Sequence, residues 1–169
     1  FKMSVNLTNE SLEWDGIEAC IENVVQKYQF PNVQLGLEIT EQDALSSSID
    51  ITKKIEALKA KGHRFLIDDF GMGHTSLVYL QTKYFNIVKL DGSLTRDVIH
   101  NETNRDIIAS IVYLGRSLKF KIIAEYVENE AQRDELKKLG CDAFQGYLYS
   151  KPIKLDELMS WIKGSGHES

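Results

Sequence analysis

Short apolar runs alternate along the chain with longer segments in which apolar residues recur every three or four positions. The short runs are rich in β-branched and aromatic residues, which is typical of strands, and the longer segments have the period of amphipathic helices. Each strand-like run is followed by a segment long enough for a helix. The pattern predicts six strands, at Met3–Leu7, Val33–Ile39, Arg64–Ile67, Phe85–Leu90, Lys119–Ala124 and Ala143–Tyr149.

Helices are predicted by the apolar period and by the residues at their ends. Ser48 and Asn129 are residue types that cap helix N-termini. Gly62 and Gly140 stand where the following helical patterns end, and glycine readily adopts the left-handed backbone angles of a helix C-terminus. The segment Leu155–Ile162 is predicted to be a further helix.

The segment Thr103–Leu118 has the clearest helical period. Its apolar residues predict one buried face, made of Ile107, Ile108, Ile111, Val112 and Leu114. Its polar residues predict a solvent face that includes Asn104, Arg105 and Arg116. We expect the apolar face to pack on a sheet.

Repeated strand and helix units with apolar strands predict parallel pairing, with both faces of the sheet covered. The fold class is therefore α/β. The 169 residues, 43% of them hydrophobic, suffice for the core of one domain, and no low-complexity linker divides the chain. We predict a domain over residues 1–163 and a flexible tail over residues 164–169.

Net charge and targeting signals narrow the classes of function. A formal net charge of -5 and a pI near 5.4 disfavour binding of DNA or anionic lipid by bulk electrostatics. An anionic ligand would need a local cation or a metal. No apolar run approaches the roughly 20 residues of a membrane span, and no signal peptide opens the chain. Cys20 and Cys141 form no CxxC pattern, which predicts small buried thiols and a reducing, cytoplasmic setting.

Polar residues collect where the predicted strands end. In parallel α/β folds the carboxyl ends of the strands meet at one rim, where functional side chains gather. The residues in such positions here are Asn6, Glu38, Glu41, Asp68, Asp69, Lys89, Glu125, Glu128 and Gln145. The sequence therefore predicts an acidic rim that contains one lysine.

Carboxylates at this density repel one another unless cations neutralise them. Mg²⁺ or Mn²⁺ would suit these oxygen ligands, and the adjacent Asp68 and Asp69 could serve two ions. A pair of ions would generate a nucleophile and stabilise attack on phosphorus, so we predict phosphodiester hydrolysis. Lys89 would orient or deprotonate the attacking water, or screen charge on phosphoryl oxygens.

Each residue also has a structural interpretation. An Asp pair after a strand is often part of a turn or a helix cap. In the structural interpretation, Glu41 caps the helix-like EQDAL segment and Glu128 is a solvated acid. Lys89 lies in an apolar run, where an unpaired ammonium is costly, so we expect a carboxylate or phosphate partner. The DFG triplet does not indicate a kinase, because the sequence shows neither an HRD motif nor a glycine-rich loop.

Six motifs occur in order along the chain: NLT, LEITE, IDDFGMGHTSL, VKLD, IIAEYVE and CDAFQGYLYSKP. Together they resemble the EAL family of cyclic di-GMP phosphodiesterases, over nearly all of residues 1–162. The resemblance implies a (β/α)8 TIM-like barrel that binds two Mg²⁺ or Mn²⁺ ions and opens cyclic di-GMP to linear pGpG. It also implies a homodimer, and sensor or cyclase domains, or a membrane anchor, elsewhere in the parent protein.

The resemblance also implies roles for individual residues. Its implied metal ligands are Asn6, Glu38, Asp68, Asp69 and Glu125, with Asp68 bridging the ions. Lys89 matches the lysine that holds the catalytic water, and Gln145 matches a glutamine near that water. Glu41 matches the acid that anchors the loop Gly71–Leu77, in which Gly71 and Gly73 would adopt angles that other residues resist.

Three features depart from the family pattern. The Glu-Ala-Leu signature is absent, and we expect it upstream of Phe1, so the barrel would be incomplete at its N-terminus with about six βα units. Tyr126 stands where the family has glycine, and Thr75 stands where serine is commoner. These features support an alternative function, an inactive cyclic di-GMP receptor or protein-interaction module. The open barrel edge also predicts that this chain alone is weakly active or inactive.

Overall fold

The computed structural model describes residues 3–28, 35–46, 48–71 and 84–164. Its six strands form one sheet, and every neighbouring pair is parallel. The strands are β1 (Ser4–Asn6), β2 (Gly36–Thr40), β3 (Arg64–Phe70), β4 (Ile87–Leu90), β5 (Lys121–Ala124) and β6 (Ala143–Phe144). The predicted α/β class with parallel strands is therefore confirmed.

The strands follow one another across the sheet in the order in which they occur in the sequence. Each connection therefore moves in the same direction across the sheet, and the strand order never reverses. A parallel sheet of this order curls in one sense, as in a TIM-like barrel. The six strands form a curled half-barrel. Within the described residues, β1 pairs only with β2 and β6 only with β5.

Eight helices are seen in the described residues. They are α1 (Asn9–Glu13), α2 (Ile17–Lys27), α3 (Glu41–Ser46), α4 (Ile49–Ala60), α5 (Gly92–Thr95), α6 (Glu102–Leu118), α7 (Glu130–Leu139) and α8 (Leu155–Gly164). The sequence pattern did not single out α1, α2 or α5. In the described part of the chain, none of these helices has the length and apolar character that crossing a bilayer requires. Helix α8 includes the first residue of the predicted tail, and residues 165–169 lie outside the described ranges.

The predicted helix caps are present. The Ser48 side chain accepts a hydrogen bond from Ile51 N at the start of α4. Asn129 and Gln132 form a reciprocal capping box at the start of α7, which ends at Gly140 with a φ of 102°. These bonds satisfy backbone groups that a helix end leaves unpaired.

The core lies between one face of the sheet and the helices. Strand residues on this face are at most 1% exposed: Leu37, Ile39, Phe65, Ile67, Val88, Leu90, Ile122 and Ala124. They form one cluster with helix residues that include Leu58, Ile108 and Leu136. Successive strand residues point to opposite faces, so the alternate positions, which include Glu38 and Lys89, lie on the other face.

The buried face of α6 differs from its prediction. Ile107 is 40% exposed, whereas Ile108, Ile111, Val112 and Gly115 are buried. Asn104 and Arg105 are half-buried instead of solvated, because their side chains donate hydrogen bonds to backbone carbonyls in the segment 93–99. They tie α6 to the end of α5, which the apolar period alone does not reveal.

Strand β6 is shorter than its predicted range, Ala143–Tyr149. After Gln145 the backbone leaves the sheet and turns across the end of β5, where Leu148 N donates to Val127 O. Strand β3 is longer than predicted, since it continues through both aspartates to Phe70. Val33, at the start of the second predicted strand, lies outside the described residues.

The two cysteines differ in environment. Cys141 is buried as predicted, but Cys20 is exposed on α2, so the prediction of two buried thiols was wrong for Cys20. Helix α2 places its buried residues at Ile17 and Ile21, and Cys20 falls outside that face. Both cysteines are free.

Alkylation is expected to distinguish the two thiols. Burial raises the pKa of Cys141 to about 12, so at pH 8 this thiol has almost no thiolate and little access to reagent. Iodoacetamide should therefore label Cys20 in the folded chain and spare Cys141, as measured by peptide mass spectrometry. Labelling of both in guanidinium is the control. Equal labelling rates in the folded chain would contradict this placement of Cys141.

Candidate active site

The adjacent residues Asp68 and Asp69 lie at a bulge in β3. The pairing of β3 with β4 shifts between Ile67 and Phe70, so that both aspartates stand opposite the single residue Lys89. In a regular strand, neighbouring side chains point to opposite faces, whereas a bulge redirects one of them. Asp69 has a φ of 55°, a left-handed conformation that aspartate tolerates better than most residues. The bulge thus brings both carboxylates to one site.

Lys89 is 4% exposed, and its ammonium contacts three carboxylates. Its Nζ lies 2.8 Å from Asp68 Oδ1, 2.8 Å from Glu125 Oε1 and 2.9 Å from Glu38 Oε2. These acids come from β3, the end of β5 and β2, so tertiary structure assembles the cluster. The prediction that Lys89 has an anionic partner is confirmed.

Burial and neighbouring charges shift the pKa values in this cluster. Burial alone would lower the pKa of Lys89, but its three carboxylate partners raise it overall. Burial raises the pKa of Glu125; Lys89 opposes this shift, and Asp68 and Asp69 add to it. Burial likewise raises the pKa of Asp69, with further contributions from Asp68 and Asp91. Burial is therefore the main cause of both raised carboxyl pKa values, and the neighbouring acids add to it.

The acidic cluster has the donors that a hard divalent cation requires. Asp68, Asp69 and Glu125 offer carboxylate oxygens that all lie within 4.8 Å of one another. Asp68 Oδ1 is buried and accepts no well-oriented hydrogen bond from a described residue, although Lys89 Nζ is close to it. Carboxylate oxygens are preferred ligands of Mg²⁺ and Mn²⁺. The residues present therefore fit a divalent metal.

A cavity of about 620 Å³ opens over the cluster. Eight of the residues predicted at the rim line it: Asn6, Glu38, Asp68, Asp69, Lys89, Glu125, Glu128 and Gln145. Asn6, Glu128 and Gln145 are exposed at its edge. The structure thus brings together residues from the four strands β1 to β4 and from the segments after β5 and β6, while the role of each residue stays a prediction.

Glu41 lies beside the cavity lining instead of within it. It is the first residue of α3, and its Oε2 accepts a hydrogen bond from Gly71 N at 3.3 Å. Gly71 has a φ of 107°, which favours glycine, as predicted. Glu41 therefore holds the start of the segment after β3. Gly73 and Thr75, in the same predicted loop, lie outside the described residues.

Five cavity residues were not among the predicted site residues: Ser4, Arg96, Tyr126, Gly146 and Tyr147. Ser4 Oγ donates a short hydrogen bond to Glu38 Oε1. Its position two residues before Asn6, on the same strand face, was an available signal. Arg96 and Tyr147 also line the cavity, from α5 and from the turn after β6. Nothing in the local sequence pattern distinguishes them from surface residues.

Comparison with known proteins identifies relatives of this arrangement. The family model for the EAL domain matches residues 1–152. The bifunctional diguanylate cyclase/cyclic di-GMP phosphodiesterase MucR of Pseudomonas aeruginosa is 33% identical over 162 residues, which cover 96% of this chain and 24% of that protein. The chain spans about a quarter of the length of the curated relatives it matches.

Two solved structures share the fold. The PaMucR phosphodiesterase in complex with c-di-GMP has a TM-score of 0.81 and 34% identity, over 92% of this chain and 63% of that one. Klebsiella pneumoniae BlrP1 in complex with manganese and c-di-GMP has a TM-score of 0.83 and 28% identity, over 89% of this chain and 39% of that one. Both likenesses extend over most of the described residues.

Proposed function

The chain belongs to the EAL domain family, and on this premise we propose that it carries the hydrolytic site of a cyclic di-GMP phosphodiesterase, which opens cyclic di-GMP to linear pGpG. The observation that carries the proposal is the buried contact of Lys89 with Glu38, Asp68 and Glu125 inside a lined cavity. A purely structural domain would have no need to bury several acids around one ammonium.

Four carboxylates and one amide side chain are the proposed ligands of two Mg²⁺ or Mn²⁺ ions. The full set comprises Asn6, Glu38, Asp68, Asp69 and Glu125, of which Asp68, Asp69 and Glu125 already share one cluster. When bound, such ions supply Lewis-acid polarisation of the phosphodiester and lower the pKa of a coordinated water. Ser4 and Lys89 keep Glu38 oriented toward the cluster by their hydrogen bonds to its two oxygens.

Lys89 acts as a fixed cation in this proposal. Its raised pKa keeps the ammonium protonated at neutral pH, so it donates hydrogen bonds and does not accept the proton of the attacking water. It would orient that water and stabilise negative charge on the phosphoryl oxygens. Gln145 and Glu128, at the exposed edge, are placed to contact water or substrate.

The direct test is turnover by the purified parent protein, because this chain alone is expected to be weakly active or inactive. With Mn²⁺ or Mg²⁺, the parent protein should convert cyclic di-GMP to pGpG, measured by chromatography, and EDTA should abolish the conversion. The control is the same protein with EDTA followed by excess Mn²⁺, which should restore the product. Tight binding of cyclic di-GMP without any product would instead establish the receptor function, and neither binding nor product would refute both.

One observation favours the receptor as a second candidate. Tyr126 follows Glu125 directly and has a φ of 54°, where the family pattern has glycine. Its ring lines the cavity, so it alters the shape offered to a ligand. We further propose that the protein is a cytoplasmic homodimer. We also propose that the parent protein carries sensor or cyclase domains, and the two activities named for MucR support a cyclase domain.

A further inference from the structure

Two side chains at the cavity edge form a stacked pair that the proposed chemistry does not use. The Arg96 guanidinium lies over the ring of Tyr126, with Cζ 4.1 Å from the ring centroid. Both side chains are exposed and both line the cavity. We call them the Arg96–Tyr126 pair.

The backbone around the pair is built to accommodate it. Tyr126 holds a left-handed conformation that is unfavourable for a large side chain. Its ring fits because Gly92 has no side chain: a Cβ there would lie 2.6 Å from Tyr126 Cδ2 and 2.9 Å from Arg96 Nε. The left-handed conformation of Tyr126 and the absence of a Cβ at Gly92 thus both permit the contact between Tyr126 and Arg96.

Hydrogen bonds fix both sides of the pair. Thr95 Oγ1, fully buried, donates to Glu125 O at 2.6 Å and so joins α5 to the residue before Tyr126. The buried Gln132 donates from Nε2 to Arg96 O at 2.8 Å. The pair is therefore held by main-chain contacts from two directions and is pre-organised for a ligand.

The charge of Arg96 remains available to a ligand. Lys89 and Arg96 are the two basic residues that line the cavity, and the three carboxylates engage Lys89. Among the described residues, none forms an ion pair with Arg96 at contact distance, and the Asp91 carboxylate interacts with its charge from farther away. A planar cation stacked on an aromatic ring thus faces an otherwise acidic cavity.

We propose that the Arg96–Tyr126 pair is a stacking platform that binds and selects one guanine base of the dinucleotide. This inference rests on the proposed function. Nucleobases stack on tyrosine rings and on guanidinium planes. Arginine donors also match guanine, whose O6 and N7 both accept, whereas adenine presents an amino group at the position of O6. The pair therefore determines specificity, outside the acidic cluster.

Binding of two ligands that differ only in their bases tests the proposal. Calorimetry in Ca²⁺ buffer would compare cyclic di-GMP with cyclic di-AMP, which has the same phosphates and sugars. Arg96→Lys keeps the charge but loses the plane and the forked donors. Tyr126→Asn removes the ring with a residue that tolerates the left-handed conformation. Both should weaken cyclic di-GMP binding roughly ten- to hundredfold, the range for loss of one base stack.

Arg96→Lys should affect cyclic di-AMP much less, so that selectivity for guanine falls. Tyr126→Asn should weaken both ligands, because stacking does not depend on the identity of the base. Tyr126→Phe, which keeps the ring, should lose less affinity for both ligands than Tyr126→Asn does. Matched controls are Arg116→Lys and Tyr113→Asn, exposed on α6 and outside the cavity lining. We expect no change in binding for either control.

Several outcomes would overturn the platform. Normal binding by Arg96→Lys with weak binding by Arg96→Ala would assign the contact to a phosphate charge. Equal losses for both ligands in Arg96→Lys would exclude selection of guanine, and unchanged binding in all variants would exclude base recognition. These results leave the proposed function standing, because the unaltered chain still binds or cleaves cyclic di-GMP. If the unaltered chain does neither, the proposed function fails together with the platform.

Discussion

Replacing Lys89 with methionine is expected to lower the free energy of unfolding by about 3–5 kcal/mol, the cost of removing one partner from a buried ion pair. The variant leaves Glu38, Asp68 and Glu125 close together without their shared cation. Turnover of cyclic di-GMP should fall at least about a hundredfold, because a positioned hydrogen-bond donor and charge stabiliser is lost. Urea unfolding and product chromatography measure the two effects.

The loss of stability should depend on pH with a definite sign. Burial already raises the pKa of Glu125, and loss of the Lys89 charge raises it further. A carboxyl group with a raised pKa favours the folded state at low pH and disfavours it as the pH rises through that pKa. The decrease in the free energy of unfolding caused by Lys89→Met should therefore be largest near neutral pH and smaller near pH 4. Millimolar Mn²⁺ should recover part of it by supplying positive charge.

The matched control is Lys138→Met on α7. Lys138 pairs with Glu135 at 3.2 Å, but its side chain is 74% exposed. Exposed pairs contribute little, so this change should alter stability by less than about 1 kcal/mol. If Lys89→Met proves as mild as Lys138→Met, the buried cluster does not exist in solution.

The variant Asp68→Asn is expected to weaken metal binding and abolish turnover while leaving the fold intact. The amide keeps the shape of the side chain but removes the charge that a divalent ion requires. It also removes repulsion that contributes to the raised pKa values of Asp69 and Glu125. Mn²⁺ affinity, measured by electron paramagnetic resonance of free Mn²⁺, should drop at least about tenfold.

Asp106→Asn is the control for Asp68→Asn, since Asp106 is exposed on α6, away from the acidic cluster. It should bind Mn²⁺ and turn over substrate as the unaltered chain does. Circular dichroism of both variants should match that of the unaltered chain. Full metal affinity in Asp68→Asn would show that Asp68 is not a ligand, whatever its effect on turnover.

The local pattern of apolar and capping residues was enough to predict many of the strands and helix ends. Strands β2, β4 and β5 have apolar runs because both faces of a parallel sheet are covered, and such runs are visible in one sequence. The caps at Ser48 and Asn129 rest on hydrogen bonds within four residues, so they too can be predicted locally.

Predictions failed where a distant contact decides the outcome. The exposure of Ile107 and Cys20 depends on how a helix is rotated against its neighbours, which the apolar period gives only approximately. Strand β6 ends early because its continuation bonds to Val127, a residue beyond the end of β5. Arg96 belongs to the cavity because of its contact with Tyr126, which is 30 positions away.

By itself, the sequence determined the α/β class and the set of acids at the strand ends, because both follow from residue types and their spacing. The family came from the resemblance of its six motifs to those of the EAL family. Only the tertiary structure decided that Lys89 contacts three of those acids, and that Asp68 and Asp69 face one site. Adjacent residues of a regular strand diverge, and the pairing of β3 with β4 creates the bulge that reunites them.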